Sequence, residues 1–189
     1  MTIPLNTLPF VHHILSQHLH LGDCAIDATA GNGNDTLHLA QCVGTSGRVW
    51  AFDIQALAIE RTRQLLEKQQ QLSQVELILD GHQHIDRYIQ QPIDAAVMNL
   101  GYLPQGDKNC TTQHDSTLTA INHILNLLKK NGILAMTLYG GHTAGKIECI
   151  AIEQFSGSLK QQDFDILRYQ FANRPQTAPY ALIFRKIKY

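Results

Sequence analysis

Apolar and polar positions alternate along the chain in two different repeating patterns. Short apolar runs, typical of buried strands, lie at residues 24–29, 48–53, 75–80, 94–100, 133–139, 164–171 and 180–187. Between several of them, apolar residues recur at the spacing of a helix face, as in "QALAIERTRQLLEKQQQL" at residues 55–72. Strands that alternate with helices predict βαβ units and a mostly parallel sheet.

The helical segments have apolar faces that can pack against such a sheet. In the first helix, which lies within "LPFVHHILSQHL", the residues expected to face inward are Phe10, Val11, Ile14 and Leu15. In the helix at 55–72 they are Leu57, Ile59, Leu65 and Leu66. Further helices are predicted at 35–42, 85–89, 115–130 and 144–156. The helix at 115–130 is expected to begin at an N-cap on Asp115 or Ser116 and to stop at Asn131-Gly132.

The last two strands are joined by "ANRPQTAP", which is too short for a crossover helix, so they should form an antiparallel hairpin. The predicted fold is therefore α/β, with a seven-stranded, mostly parallel sheet, a C-terminal antiparallel hairpin and helices on both faces. A chain of 189 residues fits one domain, with an N-terminal helix in 1–21 and the α/β core in 22–189. Such open sheets bind ligands at the carboxyl ends of their strands.

Composition limits the partners and the location. The formal net charge is −1, so no global positive field attracts nucleic acid or an anionic membrane, and a polyanion must be held by a local patch. Four dispersed cysteines without a C-x-x-C pair predict neither a disulfide framework nor structural zinc. The N-terminus has no basic segment followed by a long apolar run, so a cytoplasmic protein is expected. Four histidines near the N-terminus lack acid partners and metal-site spacing, and no metal is predicted: His12, His13, His18 and His20.

The stretch "DATAGNGNDTLHLA" (27–40) places two glycines between the first core strand and a helix. Gly31 and Gly33 allow the backbone to turn sharply and to approach a ligand, and the N–H groups of the following helix favour a carboxylate or phosphate. An ordinary strand–helix turn has the same pattern. Asp53 favours the ligand-binding interpretation over the ordinary turn. It ends the second strand, at the position where an acid accepts hydrogen bonds from both hydroxyls of an adenosine ribose.

Two cofactors use this layout, and the sequence favours S-adenosylmethionine over NAD. NAD needs a second mononucleotide-binding half and usually a third glycine, where this chain has Thr36. Asp27 suits the ammonium group of S-adenosylmethionine, and Asn32, Asn34 or the helix amides suit its carboxylate. The residues predicted to contact the cofactor are Asp27, Gly31, Asn32, Gly33, Asn34, Asp35, Asp53, Gln55, Asp80, Gly81, His82 and Asn99, with Asp80, Gly81 and His82 near the adenine.

The methyl acceptor is predicted from the ends of the fourth and fifth strands. Asn99 to Tyr102, "NLGY", resembles the N-P-P-Y motif of amino-group methyltransferases, although a plain strand-exit loop is the alternative. The side-chain oxygen Oδ1 of Asn99 and a backbone carbonyl oxygen can accept hydrogen bonds from an amine and so direct its lone pair at a methyl carbon. Tyr102 can stack on a base. Tyr139 is expected to line the pocket, and His142 is a candidate proton acceptor.

Four segments together resemble the MnmM (YtqB-like) family, whose members were long labelled as rRNA methylases: "DATAGNGNDT", "NLGYLPQGDK", "LYGGHTAGKIE" and "NRPQTAPYALIFRK". The resemblance runs from Asp23 to Lys186 and departs from the family around Gly141–Gly145. It implies a Rossmann-like class I methyltransferase fold. It also implies transfer of a methyl group from S-adenosylmethionine to the amine of 5-aminomethyl-(2-thio)uridine at the tRNA wobble position, with the anticodon stem-loop as partner.

Holding tRNA at a net charge of −1 requires a cationic face, for which Lys108, Lys146 and Arg174 are the candidates by position. The alternatives left open are an rRNA methyltransferase, a small-molecule amine methyltransferase and a non-catalytic module that binds S-adenosylmethionine or RNA. A homodimer is also left open by the sequence.

Overall fold

The computed structural model describes residues 6–100, 114–141 and 143–188, which form a seven-stranded sheet and six α-helices. The strands are β1 (Cys24–Asp27), β2 (Arg48–Asp53), β3 (Val75–Leu79), β4 (Ile93–Asn99), β5 (Leu128–Leu138), β6 (Phe164–Tyr169) and β7 (Tyr180–Lys186). The helices are α1 (Thr7–His18), α2 (Asn34–Val43), α3 (Ala56–Lys68), α4 (Ile85–Tyr88), α5 (His114–Leu127) and α6 (Thr143–Ser158). A short 3-10 helix, His82–His84, precedes α4.

The strand order is β3-β2-β1-β4-β5-β7-β6. The first five strands in the chain pair in parallel, whereas β7 is antiparallel to both β5 and β6. The predicted sheet with its C-terminal hairpin is therefore confirmed. The order reverses between β1 and β4, and such a reversal opens a crevice at the carboxyl ends of the strands. Asp27 and Asn99 end these two strands, so the predicted site residues meet at this crevice.

Helices cover both faces of the sheet, as predicted. Successive strand residues point to opposite faces, so Ala25 packs in the hydrophobic cluster that contains residues of α1, α2 and α3, whereas Ile26 packs with residues of α4, α5 and α6. Val11 and Leu15 of α1 are completely or almost completely buried in the first of these clusters. The N-terminal helix is thus built into the core beside the crevice. Within the described residues, no helix is long and apolar enough to cross a membrane.

The buried face of α3 differs from the prediction. Leu57 is half exposed, at 49%, whereas Ala58 and Thr62 are completely buried. The inward face contains Ala58, Ile59, Thr62 and Leu66, and Leu57 lies about 100° around the helix from Ala58. The small side chains of Ala58 and Thr62 allow α3 to lie close to the glycine bend that follows β1.

The end of α5 also differs from the prediction. The helix stops at Leu127, and β5 begins at Leu128, which pairs with Ile93 of β4. Asn131 has a φ of +66°, and the strand register shifts between Ile93 and Ala95. The Asn-Gly pair therefore accompanies an irregularity at the start of β5 instead of ending the helix, because Leu128 is already buried in the sheet core.

Candidate active site

The bend after β1 is tied to both neighbouring strands. The backbone N–H of Ala28 donates to Val97 O of β4 (3.0 Å), and that of Ala30 donates to Phe52 O of β2 (2.8 Å). The N–H of Gly33 closes the turn by donating to Ala30 O (2.8 Å). The loop that leads into α2 is therefore held in place by the sheet, as a binding site that positions a ligand requires.

Both glycines of the bend adopt left-handed backbone conformations, with φ of +57° at Gly31 and +84° at Gly33. A Cβ atom on Gly33 would lie 2.9 Å from the Cα atom of Thr62 in α3. Gly33 is also the N-cap of α2 and has no side chain to cap the helix, so it does not compete for the first-turn N–H groups. These N–H groups suit a carboxylate, which fits the methionine end of S-adenosylmethionine.

Gly33→Ala is expected to lower the free energy of unfolding by about 1–3 kcal/mol, because the strained conformation is compounded by the contact with Thr62. Gly157→Ala is the matched control. It lies at the end of α6 with nothing within 4 Å of an added Cβ, and should raise stability by up to about 1 kcal/mol. Urea unfolding measures both. Equal stability of the two variants would contradict a strained bend.

Asp53 joins the end of β2 to the bend. Its Oδ2 accepts a hydrogen bond from the N–H of Gly31 (2.9 Å), and its Oδ1 accepts one from the N–H of Gln55, the N-cap of α3 (2.9 Å). Burial raises the pKa of Asp53, against the lowering effect of these backbone hydrogen bonds. Each oxygen keeps a further lone pair, so the carboxylate can accept hydrogen bonds from two ribose hydroxyls as well.

Asp27 is more deeply placed than the sequence suggested. It has no exposed surface, and its carboxylate accepts hydrogen bonds from the N–H of Thr29 (3.0 Å) and the hydroxyl of Thr36 (2.6 Å). Burial, together with the negative charge of Asp35, raises the pKa of Asp27 to about 7. In this arrangement Asp27 supports the bend from beneath, and its predicted contact with the ammonium group of the cofactor stays a prediction.

The residues after β3 also connect to the bend. His82 is buried, and its Nδ1 donates to the backbone oxygen of Ala28 (3.2 Å), while its buried Nε2 has no hydrogen-bond partner among the residues that the structure describes. Burial lowers the pKa of His82 and so favours the neutral form of its ring. Asp80 accepts hydrogen bonds from Gly81 N, His84 Nδ1 and Tyr88 OH. The hydrogen bond from His84 keeps the pKa of Asp80 low. Of the predicted adenine-side residues, His82 thus contacts the bend, whereas Asp80 is bonded to the short helices that follow β3.

At the start of α2 the structure separates the three polar residues that the sequence grouped together. Asn34 is exposed, whereas the Asn32 oxygen accepts a hydrogen bond from Arg61 of α3 (3.1 Å). Asp35 is buried, and its Oδ2 accepts a hydrogen bond from the Asn99 side-chain amide (3.2 Å). Asn34 is therefore accessible to a ligand, and Asp35 belongs with the residues at the end of β4.

The acceptor side of the crevice contains Asn99 and Tyr139. The N–H of Asn99 donates to the Thr29 hydroxyl (2.8 Å), which ties the end of β4 to the bend. Burial and the negative charge of Asp35 raise the pKa of Tyr139, and a hydrogen bond with the Asn99 side chain opposes them. Asn99, Asp35 and Tyr139 are therefore neighbours. Tyr102 and His142 lie outside the described residues, as does Lys108.

One partner of this group was missed by the sequence interpretation. His12 of α1 contacts Asp35, with its Nε2 2.5 Å from Oδ1. The expectation that the N-terminal histidines lack acid partners is therefore wrong for His12. The two residues are 23 positions apart on different helices, and no local pattern in the sequence indicates that α1 and α2 pack together here.

Comparison with known proteins gives closely similar relatives. A family model described as "Putative rRNA methylase" matches residues 49–185. A chloroplastic protein of Arabidopsis thaliana, named tRNA (mnm(5)s(2)U34)-methyltransferase, is 34% identical over 185 residues. That match covers 93% of this chain and 68% of the plant protein.

Two solved structures resemble the chain over nearly its whole length. The first, described as a "putative rRNA-methylase" from Clostridium thermocellum, is 38% identical with a TM-score of 0.96, and the match covers 99% of this chain and 100% of that one. The second is SMU.1697c from Streptococcus mutans, described as "a putative methyltransferase" in complex with SAH. It is 40% identical with a TM-score of 0.88, and the match covers 98% of this chain and 100% of that one.

Proposed function

The chain belongs to the MnmM (YtqB-like) family of S-adenosylmethionine-dependent methyltransferases, and on that basis we propose that its acceptor is the amine of 5-aminomethyl-(2-thio)uridine at the tRNA wobble position. The product is the 5-methylaminomethyl form. S-adenosylmethionine is the methyl donor, and it supplies an activated methyl group on a positively charged sulfur. The tRNA substrate is inferred from the name of the plant relative and from the chemistry of the acceptor side.

The orientation of the Asn99 side chain is the observation that carries this proposal. A carboxylate only accepts hydrogen bonds, so the contact with Asp35 Oδ2 requires the NH₂ end of the Asn99 amide to face Asp35. The oxygen Oδ1 then faces away from Asp35, and with its two lone pairs it can accept from a donor in the crevice even beside the hydrogen bond between this side chain and Tyr139. A primary amine is such a donor, and its N–H bonded to Oδ1 leaves the nitrogen lone pair free to attack the methyl carbon.

The other site residues take the roles that their positions support. Gly31, Gly33 and the first turn of α2 are proposed to hold the methionine part of the cofactor, with the exposed Asn34 beside them. Asp53 is proposed to hold the ribose. The residues Asp80, Gly81 and His82 are proposed to lie near the adenine. Asn99 aligns the amine, and Tyr139 lines its pocket.

The substrate amine is mostly protonated at neutral pH and must lose a proton before it attacks the methyl group. His142 is the proposed acceptor of this proton, with bound water as the alternative. This assignment comes from the sequence, since an unperturbed histidine titrates near neutrality.

An aromatic surface at the same sheet edge supports RNA binding. Leu138 at the carboxyl end of β5 pairs with Tyr180, so the loop between β6 and β7 lies at the edge that carries the crevice. In this loop the Arg174 guanidinium lies 3.9 Å from the centre of the Phe171 ring and donates to the Asn6 oxygen (2.9 Å). The Phe171 ring meets Tyr169 edge to face, and Tyr169 stacks on Phe10 of α1.

Aromatic rings combined with arginine are typical of surfaces that bind single-stranded nucleotides, such as an anticodon loop. Lys146 is exposed in the first turn of α6, which follows β5, so it lies near the same edge. Arg174 and Lys146 therefore occupy positions that suit phosphate contacts around the crevice.

Replacing both Lys146 and Arg174 by alanine is expected to raise the KM for tRNA about tenfold or more. The plot of log binding constant against log salt concentration should also become less steep, by about one unit of slope for each lost phosphate contact. Lys160→Ala with Arg185→Ala is the charge-matched control, because Lys160 precedes β6 and Arg185 pairs with Ile133 at the opposite edge. Binding of tRNA at several salt concentrations measures both. If the two double variants bind tRNA alike, RNA recognition lies elsewhere.

The function itself is tested with labelled S-adenosylmethionine and four acceptors, each assayed separately. These are tRNA carrying 5-aminomethyl-2-thiouridine, the same tRNA with an unmodified wobble uridine, bulk rRNA, and a panel of small amines. Methylation of only the first supports the proposal. Transfer to rRNA or to small amines would replace it by one of the alternatives, and binding of S-adenosylhomocysteine without any transfer would indicate a non-catalytic module.

Three further predictions stay proposals: a single domain over residues 1–189, a cytoplasmic location, and the option of a homodimer. Sedimentation of the protein at several concentrations decides the last of them.

A further inference from the structure

Asp35 has a partner on each of its two carboxylate oxygens. Oδ1 is 2.5 Å from His12 Nε2, and Oδ2 accepts the hydrogen bond from the Asn99 amide. The Asp35 side chain is only 9% exposed, so its orientation is decided by these contacts and not by water. A chain of hydrogen bonds therefore runs from α1 through Asp35 to the residue that faces the acceptor.

The ring of His12 is itself held in place by α2. It stacks on the ring of His38, with the centroids 4.1 Å apart and the planes at 7°. His38 Nε2 also donates to the backbone oxygen of His12 (2.9 Å), so backbone and ring are both fixed against the same helix. On either side of His12 along α1, Val11 and Leu15 are anchored in the core. The His12 ring is thus a rigid support for Asp35.

We propose that His12 is a positioning residue for methyl transfer, which acts on the acceptor through Asp35 and Asn99. The inference rests on the function proposed above. By donating a hydrogen bond to Oδ1, His12 fixes the Asp35 carboxylate, and Oδ2 then holds the NH₂ end of the Asn99 amide.

The alternative orientation of Asn99 shows why this support matters. The two ends of an asparagine amide differ by a 180° rotation, and the rotated amide would turn NH₂ towards the acceptor. An amide NH₂ cannot accept the N–H of an amine and would compete for its lone pair. The Asp35 carboxylate, held in place by His12, disfavours that orientation, because Asp35 Oδ2 would then face the oxygen of the Asn99 amide instead of its NH₂ group.

Two substitutions separate the hydrogen bond from the packing of His12. His12→Phe keeps a ring that can stack on His38 but removes the donor, whereas His12→Gln keeps an N–H donor but removes the ring. His13→Phe, on the adjacent residue of α1, is the matched control. For each variant we would measure kcat and KM on tRNA, the Kd for S-adenosylhomocysteine and the melting temperature.

We expect His12→Phe to lower kcat about tenfold or more, since a hydrogen bond to a charged group is lost. Its Kd for S-adenosylhomocysteine and its KM for tRNA should stay within about twofold of wild type. His12→Gln should restore most of kcat, and His13→Phe should match wild type. Unchanged kcat in His12→Phe overturns the proposal. Equal loss in the phenylalanine and glutamine variants also overturns it, because packing alone would then explain the effect.

A second measurement needs no turnover and therefore separates this inference from the proposed function. The side-chain amide protons of Asn99, assigned by their loss in Asn99→Asp, should exchange with solvent about tenfold faster in His12→Phe than in wild type. Exchange in His12→Gln and His13→Phe should be unchanged. If wild type methylates no tRNA but the exchange rates follow this order, the substrate is wrong and the positioning role holds. Equal rates in all variants overturn the positioning role.

Discussion

Asn99→Ala is expected to lower kcat for methyl transfer to tRNA by at least about a hundredfold, the size of effect seen when a group that orients the reacting atoms is removed. The affinity for S-adenosylhomocysteine should stay near that of wild type, because the glycine bend and Asp53 do not depend on the Asn99 side chain. The backbone hydrogen bond from Asn99 N–H to Thr29 also survives the change. Single-turnover kinetics and calorimetry measure the two quantities.

Asn122→Ala is the control for this substitution. Asn122 lies on the exposed side of α5, and its side chain donates to the backbone oxygen of Leu118 within the same helix. It should leave both kcat and cofactor affinity unchanged. A kcat of Asn99→Ala within about threefold of wild type would remove Asn99 from the acceptor side and with it the main support for an amine substrate.

The parts of the fold that were predicted correctly depend on local patterns. The run "RVWAFD" is apolar between polar ends, and β2 has the predicted bounds, Arg48–Asp53. Since a strand end in a parallel sheet faces the ligand edge, placing Asp53 at that end was enough to bring it to the glycine bend. The same reasoning predicted that Asn99 and Tyr139, which lie at the ends of the fourth and fifth strands, are neighbours, and their side chains are hydrogen-bonded in the structure.

The errors arise where packing between distant elements overrides the local pattern. Leu57 looks like a core residue, but the close approach of α3 to Gly33 selects the face with Ala58 and Thr62. A separate limit applies to Asp27: the sequence did not indicate its depth or its hydrogen bonds with Thr29 and Thr36, while its contact with the cofactor stays a prediction. A sequence pattern identifies a strand end but not how deeply a side chain on it lies.

His12 shows the same limit for the site. The helix around it was predicted from its apolar face, and Val11 and Leu15 are buried as expected. The partner of a polar residue on that helix, however, depends on how α1 lies against α2. That arrangement is set by the shape of the shared core and leaves no signature in the spacing of the residues.

Asp53→Ala is expected to weaken the binding of S-adenosylmethionine and S-adenosylhomocysteine at least about tenfold, because hydrogen bonds to a charged group contribute about 1.5–3 kcal/mol. The structure adds a second cause. The carboxylate also accepts the N–H groups of Gly31 and Gln55, so the alanine variant loosens the bend as well as losing the ribose contact.

Asp53→Asn separates these two causes. Asparagine has the same shape and one remaining oxygen, so it can keep one of the two backbone hydrogen bonds while losing the charge that strengthens bonds from the ribose hydroxyls. We expect an intermediate affinity, with a melting temperature closer to wild type than that of the alanine variant. Asp165→Ala, on the outer strand β6, is the control and should bind the cofactor like wild type. Calorimetry with S-adenosylhomocysteine decides the point: if both Asp53 variants bind as tightly as wild type, the acid at the end of β2 does not hold the ribose, and the adenosine must lie elsewhere along the crevice.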